Sequence, residues 1–224
     1  MIVIPSLVEP TALDLFTRIQ FLFPYYHQFQ VDIQDGKFTK NVTVKTRDVV
    51  DYILSTEKTS GIVVSTIFDF HLQVNDPESQ LEQISKLPLE CLGIILIHRS
   101  VFPDIKFLTT TYPHFKFGLV LNPNEEVADI PPVLLHEIFG LQLMTIYPGK
   151  QGQPFIQESL KKIEQLRKAG FQKKIYIDGA VNESTLPILK SLPNKPDVLC
   201  PGSYLAKSPK EELERRALLL ASAW

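Results

Sequence analysis

Cysteine, long apolar runs and an excess of either charge are what this chain has least of. Only two cysteines, Cys91 and Cys200, occur in 224 residues. They lie far apart in apolar contexts and form no CxxC, so they read as buried thiols of a reducing compartment and not as a disulfide framework or zinc site. No run approaches the ~18 apolar residues of a membrane-spanning helix. The opening Met1-Ile2-Val3-Ile4-Pro5 is too short and lacks the basic start of a signal peptide. With 23 basic and 25 acidic residues the formal charge is -2. That balance argues against nucleic acid or an anionic membrane as a partner held by bulk electrostatics, while leaving room for a small local anion site. Linker-like and low-complexity stretches are missing too. The expectation is a soluble cytoplasmic protein with residues 1–224 forming one domain.

What is present starts with residues 28–36, Gln28-Phe29-Gln30-Val31-Asp32-Ile33-Gln34-Asp35-Gly36. Strict polar–apolar alternation through Gln34 predicts a strand, and Asp-Gly predicts a turn after it. Phe29, Val31 and Ile33 share one face, and Gln28, Gln30, Asp32 and Gln34 share the other. Taken alone, such a strand suits a sheet edge with one face in water. Its surroundings favour another address. Residues 2–4, 92–97, 115–121, 138–146, 175–177 and 198–200 contain apolar runs suited to buried parallel strands, and 61–72 reads as a further strand. Between them, helical spacing appears in Leu13, Phe16, Ile19 and Leu22, in Val49, Val50, Ile53 and Leu54, in Leu81, Ile84 and Leu87, and in Ile156, Leu160, Ile163 and Leu166. Asn182 reads as the cap of a helix through Leu189, and Pro131-Pro132 interrupts any helix in 125–137. Eight strand-then-helix units in this length predict an α/β fold of the (β/α)8 TIM-barrel type, with a doubly wound open sheet as competitor.

In a barrel, chemistry belongs at the C-terminal ends of the strands. Residues expected there are Ser6, Asp32, Asp35, His71, His98, Asn122, residues 147–155, Asp178-Gly179-Ala180 and Gly202-Ser203. Asp32 and Asp178 end the second and seventh strands, and such a pair can remove and deliver a proton on opposite faces of one carbon. Glycine turns after the sixth, seventh and eighth strands suit a phosphate, with Lys150 available to the same pocket.

These residues also carry a resemblance over nearly the whole chain. Pro5-Ser6, Val31-Asp32-Ile33-Gln34-Asp35-Gly36-Lys37-Phe38, Asp69-Phe70-His71-Leu72-Gln73-Val74, Leu121-Asn122-Pro123, Met144-Thr145-Ile146-Tyr147-Pro148-Gly149, Gly152-Gln153, Ile177-Asp178-Gly179-Ala180-Val181-Asn182 and Gly202-Ser203 resemble, in order, the motifs of the ribulose-phosphate 3-epimerase family. The resemblance implies a barrel of the ribulose-phosphate-binding type, an isomerase of carbohydrate metabolism that interconverts D-ribulose 5-phosphate and D-xylulose 5-phosphate. It implies Asp32 and Asp178 as acid and base, and also as ligands, with His71, of a divalent metal (Zn, Fe, Mn or Co). It implies substrate contacts from Ser6, His71 and Met144, and a phosphate held near Gly149, Gly152, Gly179, Ala180, Gly202 and Ser203. The expected partner is a small sugar phosphate, with a homo-oligomer as a further possibility.

The chain departs from the family pattern close to the reacting carbon. Gln30 stands where the family places its first metal-binding histidine, and its neutral carbonyl oxygen is a poorer ligand for zinc or iron than imidazole. Gln34 and Gln73 replace methionines, Ala180 replaces a second glycine, and Lys150-Gln151 replaces Phe-Gly. Two alternatives follow: an epimerase or isomerase for another ketose phosphate, or a non-catalytic sugar-phosphate binder that has lost its metal.

Overall fold

A computed structural model describes residues 1–56, 65–149 and 152–222. Nine strand segments form one all-parallel sheet: β1 (Ile2–Val3), β2 (Ser6–Leu7), β3 (Gln28–Gln34), β4 (Ile67–Gln73), β5 (Leu92–His98), β6 (Lys116–Leu121), β7 (Gly140–Met144), β8 (Lys174–Asp178) and β9 (Val198–Cys200). Their order is β1-β9-β8-β7-β6-β5-β4-β3-β2. The first two segments are one broken strand. β1 pairs with β9 and β2 pairs with β3, and Pro5, which has no N–H for the ladder, lies at the break. Its carbonyl still accepts from the Gln30 N–H (2.9 Å), while the Ile4 N–H reaches the Leu199 carbonyl (2.9 Å). Residues 2–7 therefore join both ends of the sheet and close an eight-position barrel. A doubly wound open sheet is ruled out by that closure.

Helices cover the outside: α1 (Ala12–Leu22), α2 (Thr46–Thr56), α3 (Pro77–Ile84), α4 (Ile105–Thr111), α5 (Pro132–Glu137), α6 (Lys161–Lys168), α7 (Leu186–Ser191), α8 (Ser203–Ala206) and α9 (Lys210–Ala221). Among the described residues, no helix is long and apolar enough to cross a membrane. Among the described residues, side chains cap three of them: Thr11 accepts from the Asp14 N–H, Asp76 from the Ser79 N–H and Asp104 from the Phe107 N–H. Other expectations need correcting. Pro132 opens α5 at its first turn, where a missing N–H costs nothing, so the proline pair starts a helix. Asn182 organises a turn, with its Oδ1 accepting from the Ser184 N–H, and α7 begins only at Leu186. Leu13 is 69% exposed, and Leu15 takes its place on the buried stripe of α1. The strand expected over 61–72 begins at Ile67, and residues 61–64 lie outside the described residues.

Apolar residues divide between two cores. The larger lies between strands and helices and contains Phe29, Val31, Ile33, Phe68, Phe70 and Leu72. The smaller fills the barrel and contains Ile4, Ile94, Leu96, Val120, Met144, Tyr176, Val198 and Cys200. Alternation along β3 sends its apolar side to the outer core. Its polar side points inward, and Gln30, Asp32 and Gln34 are all buried. The solvated edge-strand reading is thereby overturned.

Candidate active site

Parallel pairing of β3 with β4 sets Asp32 beside His71 and Gln34 beside Gln73. Pairing of β7 with β8 sets Met144 beside Asp178. These registers, followed round the barrel, bring Asp32, His71 and Asp178 together, each offering a ligand atom within 4.8 Å of the others. His71 Nδ1 lies 3.3 Å from Asp32 Oδ1 and 3.4 Å from Asp178 Oδ2. Gln30 Nε2 donates to both carboxylates, at 3.0 Å to Asp32 Oδ1 and 2.8 Å to Asp178 Oδ2. Gln142 Nε2 donates to Asp178 Oδ2 at 3.0 Å. The outer oxygen of Asp32, Oδ2, accepts from Ser6 Oγ (3.3 Å) and Gln73 Nε2 (3.2 Å). Gln73 Oε1 accepts from Gln34 Nε2 (2.9 Å), and Gln34 Oε1 from Asn41 Nδ2 (2.7 Å). A chain of amides thus runs from the loop after β3 to Asp32.

Burial and charge oppose each other here. Burial raises the Asp32 pKa, partly offset by His71. For His71, burial disfavours the charged ring, but attraction to Asp32 and Asp178 outweighs it and raises its pKa to about 9. Behind it, His98 Nε2 lies 2.9 Å from His71 Nε2, and the His98 ring packs against Phe38 at 4.6 Å between centroids. Burial, followed by the neighbouring His71, lowers the His98 pKa.

A cavity of about 430 Å³ opens above this cluster. It is lined by Ser6, Asp32, Met144, Gly149, Gly152, Asp178, Gly179, Ala180, Gly202 and Ser203, so most of the expected contact residues meet in one space. Gln34 and Gln73 also line it. His71 and Gln30 do not. They are fully buried beneath the two aspartates. Three candidates lie elsewhere or outside view. Asp35 is a turn residue, accepting from the Lys37, Phe38 and Asn75 N–H groups at 2.8, 2.9 and 3.0 Å. Asn122 lines a neighbouring recess with Phe38 and Tyr147. Lys150 falls outside the described residues. The strand-end inventory missed Gln142, whose signal was a lone amide between Leu141 and Leu143 in an apolar strand.

The donor set fits a metal ion. Two carboxylates and one imidazole converge, and the buried Gln30 Oε1 and Gln142 Oε1 have no hydrogen-bond partner among the described residues. Carboxylate, imidazole and amide carbonyl are all established ligands of divalent cations.

The model of the ribulose-phosphate 3-epimerase family matches residues 2–205. The Bacillus subtilis ribulose-phosphate 3-epimerase is 27% identical over 71% of this chain and 71% of its own length. The Encephalitozoon cuniculi enzyme of that name is 30% identical over 70% of this chain and 66% of its own length. For the Schizosaccharomyces pombe enzyme the identity is 24%, over 92% of this chain and 88% of its own length. Among solved structures, a tryptophan synthase α-subunit from Pyrococcus furiosus superposes with TM-score 0.64 at 16% identity, covering 98% of this chain and 97% of that one. Tryptophan synthase from Mycobacterium tuberculosis superposes with TM-score 0.66 at 10% identity, covering 99% and 91%. Those likenesses speak for the barrel alone, whereas the family match spans the barrel together with the strand ends carrying Asp32, His71 and Asp178; the chain belongs to the ribulose-phosphate 3-epimerase family of isomerases.

Proposed function

We propose that this chain interconverts D-ribulose 5-phosphate and D-xylulose 5-phosphate by proton transfer at C3. The observation that carries the reading is the pair Asp32 and Asp178, which lie in the C-terminal halves of β3 and β8 and face one cavity bordered by Gly179, Gly202 and Ser203, with His71 buried between the two carboxylates. One aspartate, ionised, takes the C3 proton. The bonding electrons move toward the neighbouring carbonyl oxygen, leaving an enediolate. The other aspartate, protonated, returns a proton to the opposite face of C3. Ser6 and Gln73 hold Asp32 by Oδ2, while Gln30 and Gln142 hold Asp178 by Oδ2, so both carboxylates keep fixed directions. The sugar phosphate's anionic end belongs at the glycine turns, with Ser6 and Met144 against the sugar. Asp32, His71 and Asp178 would hold a divalent cation, which when bound supplies Lewis-acid polarisation of the substrate carbonyl.

A coupled assay on D-ribulose 5-phosphate tests this. Asp32→Asn and Asp178→Asn should each lower kcat by about 10²–10⁴; rates equal to the unsubstituted protein would overturn the assignment. A second reading rests on Gln34 and Gln73. Their amides line the cavity and suit a ketose phosphate with more hydroxyl groups. A higher kcat/KM on a hexulose 6-phosphate than on the pentulose would select it. Sugar-phosphate binding with no turnover of either would select the non-catalytic binder.

A further inference from the structure

The amide oxygens of Gln30 and Gln142 are unused groups beside the two aspartates. Both side chains are fully buried and both direct Nε2 at the acidic cluster, yet neither Oε1 has a partner among the described residues. A buried acceptor without a donor is unfavourable, and a native core rarely keeps two on one cluster without a reason. Gln30 Nε2 lies 3.0 Å from Asp32 Oδ1, 2.8 Å from Asp178 Oδ2 and 3.3 Å from His71 Nδ1. Gln142 Nε2 lies 3.0 Å from Asp178 Oδ2 and 3.4 Å from His71 Nδ1. Adjacent ligands of a small octahedral cation, each ~2.1 Å from it, are about 3.0 Å apart. Both amide ends therefore stand at ligand spacing from the three groups that would hold the ion. The terminal torsion of glutamine is soft, and a half-turn exchanges nitrogen for oxygen with little change of shape. One orientation donates N–H to the carboxylates; the other presents a carbonyl oxygen to a cation.

We infer that this centre takes a hard, oxygen-preferring divalent cation of the manganese or magnesium kind, with Gln30 and Gln142 joining Asp32, His71 and Asp178 as ligands. The inference rests on the cation reading above and gives it a chemical class. The resulting set is four oxygens and one nitrogen. Imidazole suits zinc and iron, whereas carboxylate and carbonyl oxygens suit manganese and magnesium. A histidine at position 30 would shift the set the other way. Zinc binds more tightly than manganese at most nitrogen–oxygen sites, so the ratio of the two affinities is the informative quantity.

Calorimetric titration of the chelator-stripped protein with Mn²⁺ and Zn²⁺, with Mn²⁺ binding followed in parallel by electron paramagnetic resonance, tests this. Gln142→Met, close in shape but without the oxygen, should weaken Mn²⁺ binding at least tenfold. Gln30→His should widen the zinc-over-manganese ratio at least tenfold. Gln142→Glu, which keeps an oxygen and adds charge, should tighten Mn²⁺ and serves if the methionine variant does not fold. Unchanged Mn²⁺ affinity in the Gln142 variants, or an unchanged ratio in Gln30→His, overturns the inference. Asp32→Asn separates the two levels. Cation binding that this variant abolishes but the glutamine variants leave alone defeats only the ligand set. No binding of either ion to the unsubstituted protein defeats the cation reading as well.

Discussion

Ala180 carries φ 52° directly after Gly179 at φ 116°. An added Cβ on Gly179 would lie 2.8 Å from the Ile146 backbone nitrogen, so glycine is required there by close approach as well as by φ. At Ala180 the methyl group is tolerated at a cost, because L-residues in the left-handed region crowd Cβ against the backbone. Ala180→Gly should stabilise the protein by about 1 kcal/mol, the relief of strain exceeding the added freedom of the unfolded chain. A denaturant midpoint that does not rise would refute this. Gly93 presents a harder constraint at the other end of the barrel. A Cβ there would fall 1.8 Å from Asp69 Oδ1. That oxygen accepts from the Ile94 N–H (2.8 Å) and from Gln28 Nε2 (2.9 Å), and burial raises the Asp69 pKa to about 6. Gly93→Ala should cost about 2–4 kcal/mol by breaking bonds of a buried carboxylate. Equilibrium unfolding at constant m-value would show it, and an unchanged midpoint would refute it. Asp32, His71 and Asp178 were legible at this scale because each lies in the C-terminal half of a strand and in a readable motif. Gln142 was not, because an amide inside an apolar strand looks inward or outward only once the neighbouring strand is placed.

Among the elements, the loop after β3 decides how the cavity wall is held. Asp35 ties that loop to its own turn and to the loop after β4 through three backbone N–H groups. Its burial would raise the carboxyl pKa, but the bonds from Phe38, Asn75 and Lys37 outweigh it and hold the pKa below the ordinary value of 3.8. Stability from this group is present above 3.8 and is lost as pH falls through the lower folded value. Asp35→Ala should therefore cost about 1 kcal/mol at neutral pH, and the difference from the unsubstituted protein should shrink below pH 3.8. A difference independent of pH would contradict it. Elements as such were well marked in the sequence by apolar strand runs and by the helical spacing of apolar residues. The errors at Asn182 and Pro131-Pro132 share a cause. Either residue can end a turn or start a helix, and the choice depends on where the next strand must begin.

At the scale of the molecule, closure depends on residues 2–7, which pair with β9 on one side and β3 on the other. We propose that residues 1–224 form a single domain that unfolds as one unit. Cys200 is a built-in probe. It is fully buried in the inner core, and burial, followed by Asp178, raises its thiol pKa. In a Cys91→Ser background, thiol labelling of Cys200 should follow global unfolding, with the denaturant dependence of the equilibrium transition. Labelling much faster than global unfolding would mean that the barrel opens locally.

Residues 28–36 illustrate the division between sequence and structure. The sequence by itself determined that this stretch is a strand, that its faces differ, that it ends in a turn, and that it carries a family motif, because side-chain alternation and turn chemistry are local properties of the chain. Only the tertiary structure decided that the polar face is buried inside a closed barrel. Closure depends on pairing between residues nearly two hundred positions apart, Val3 with Leu199. That pairing brings Asp178 to Gln30 and Asp32, and it gives the amides of Gln30 and Gln142 a shared centre.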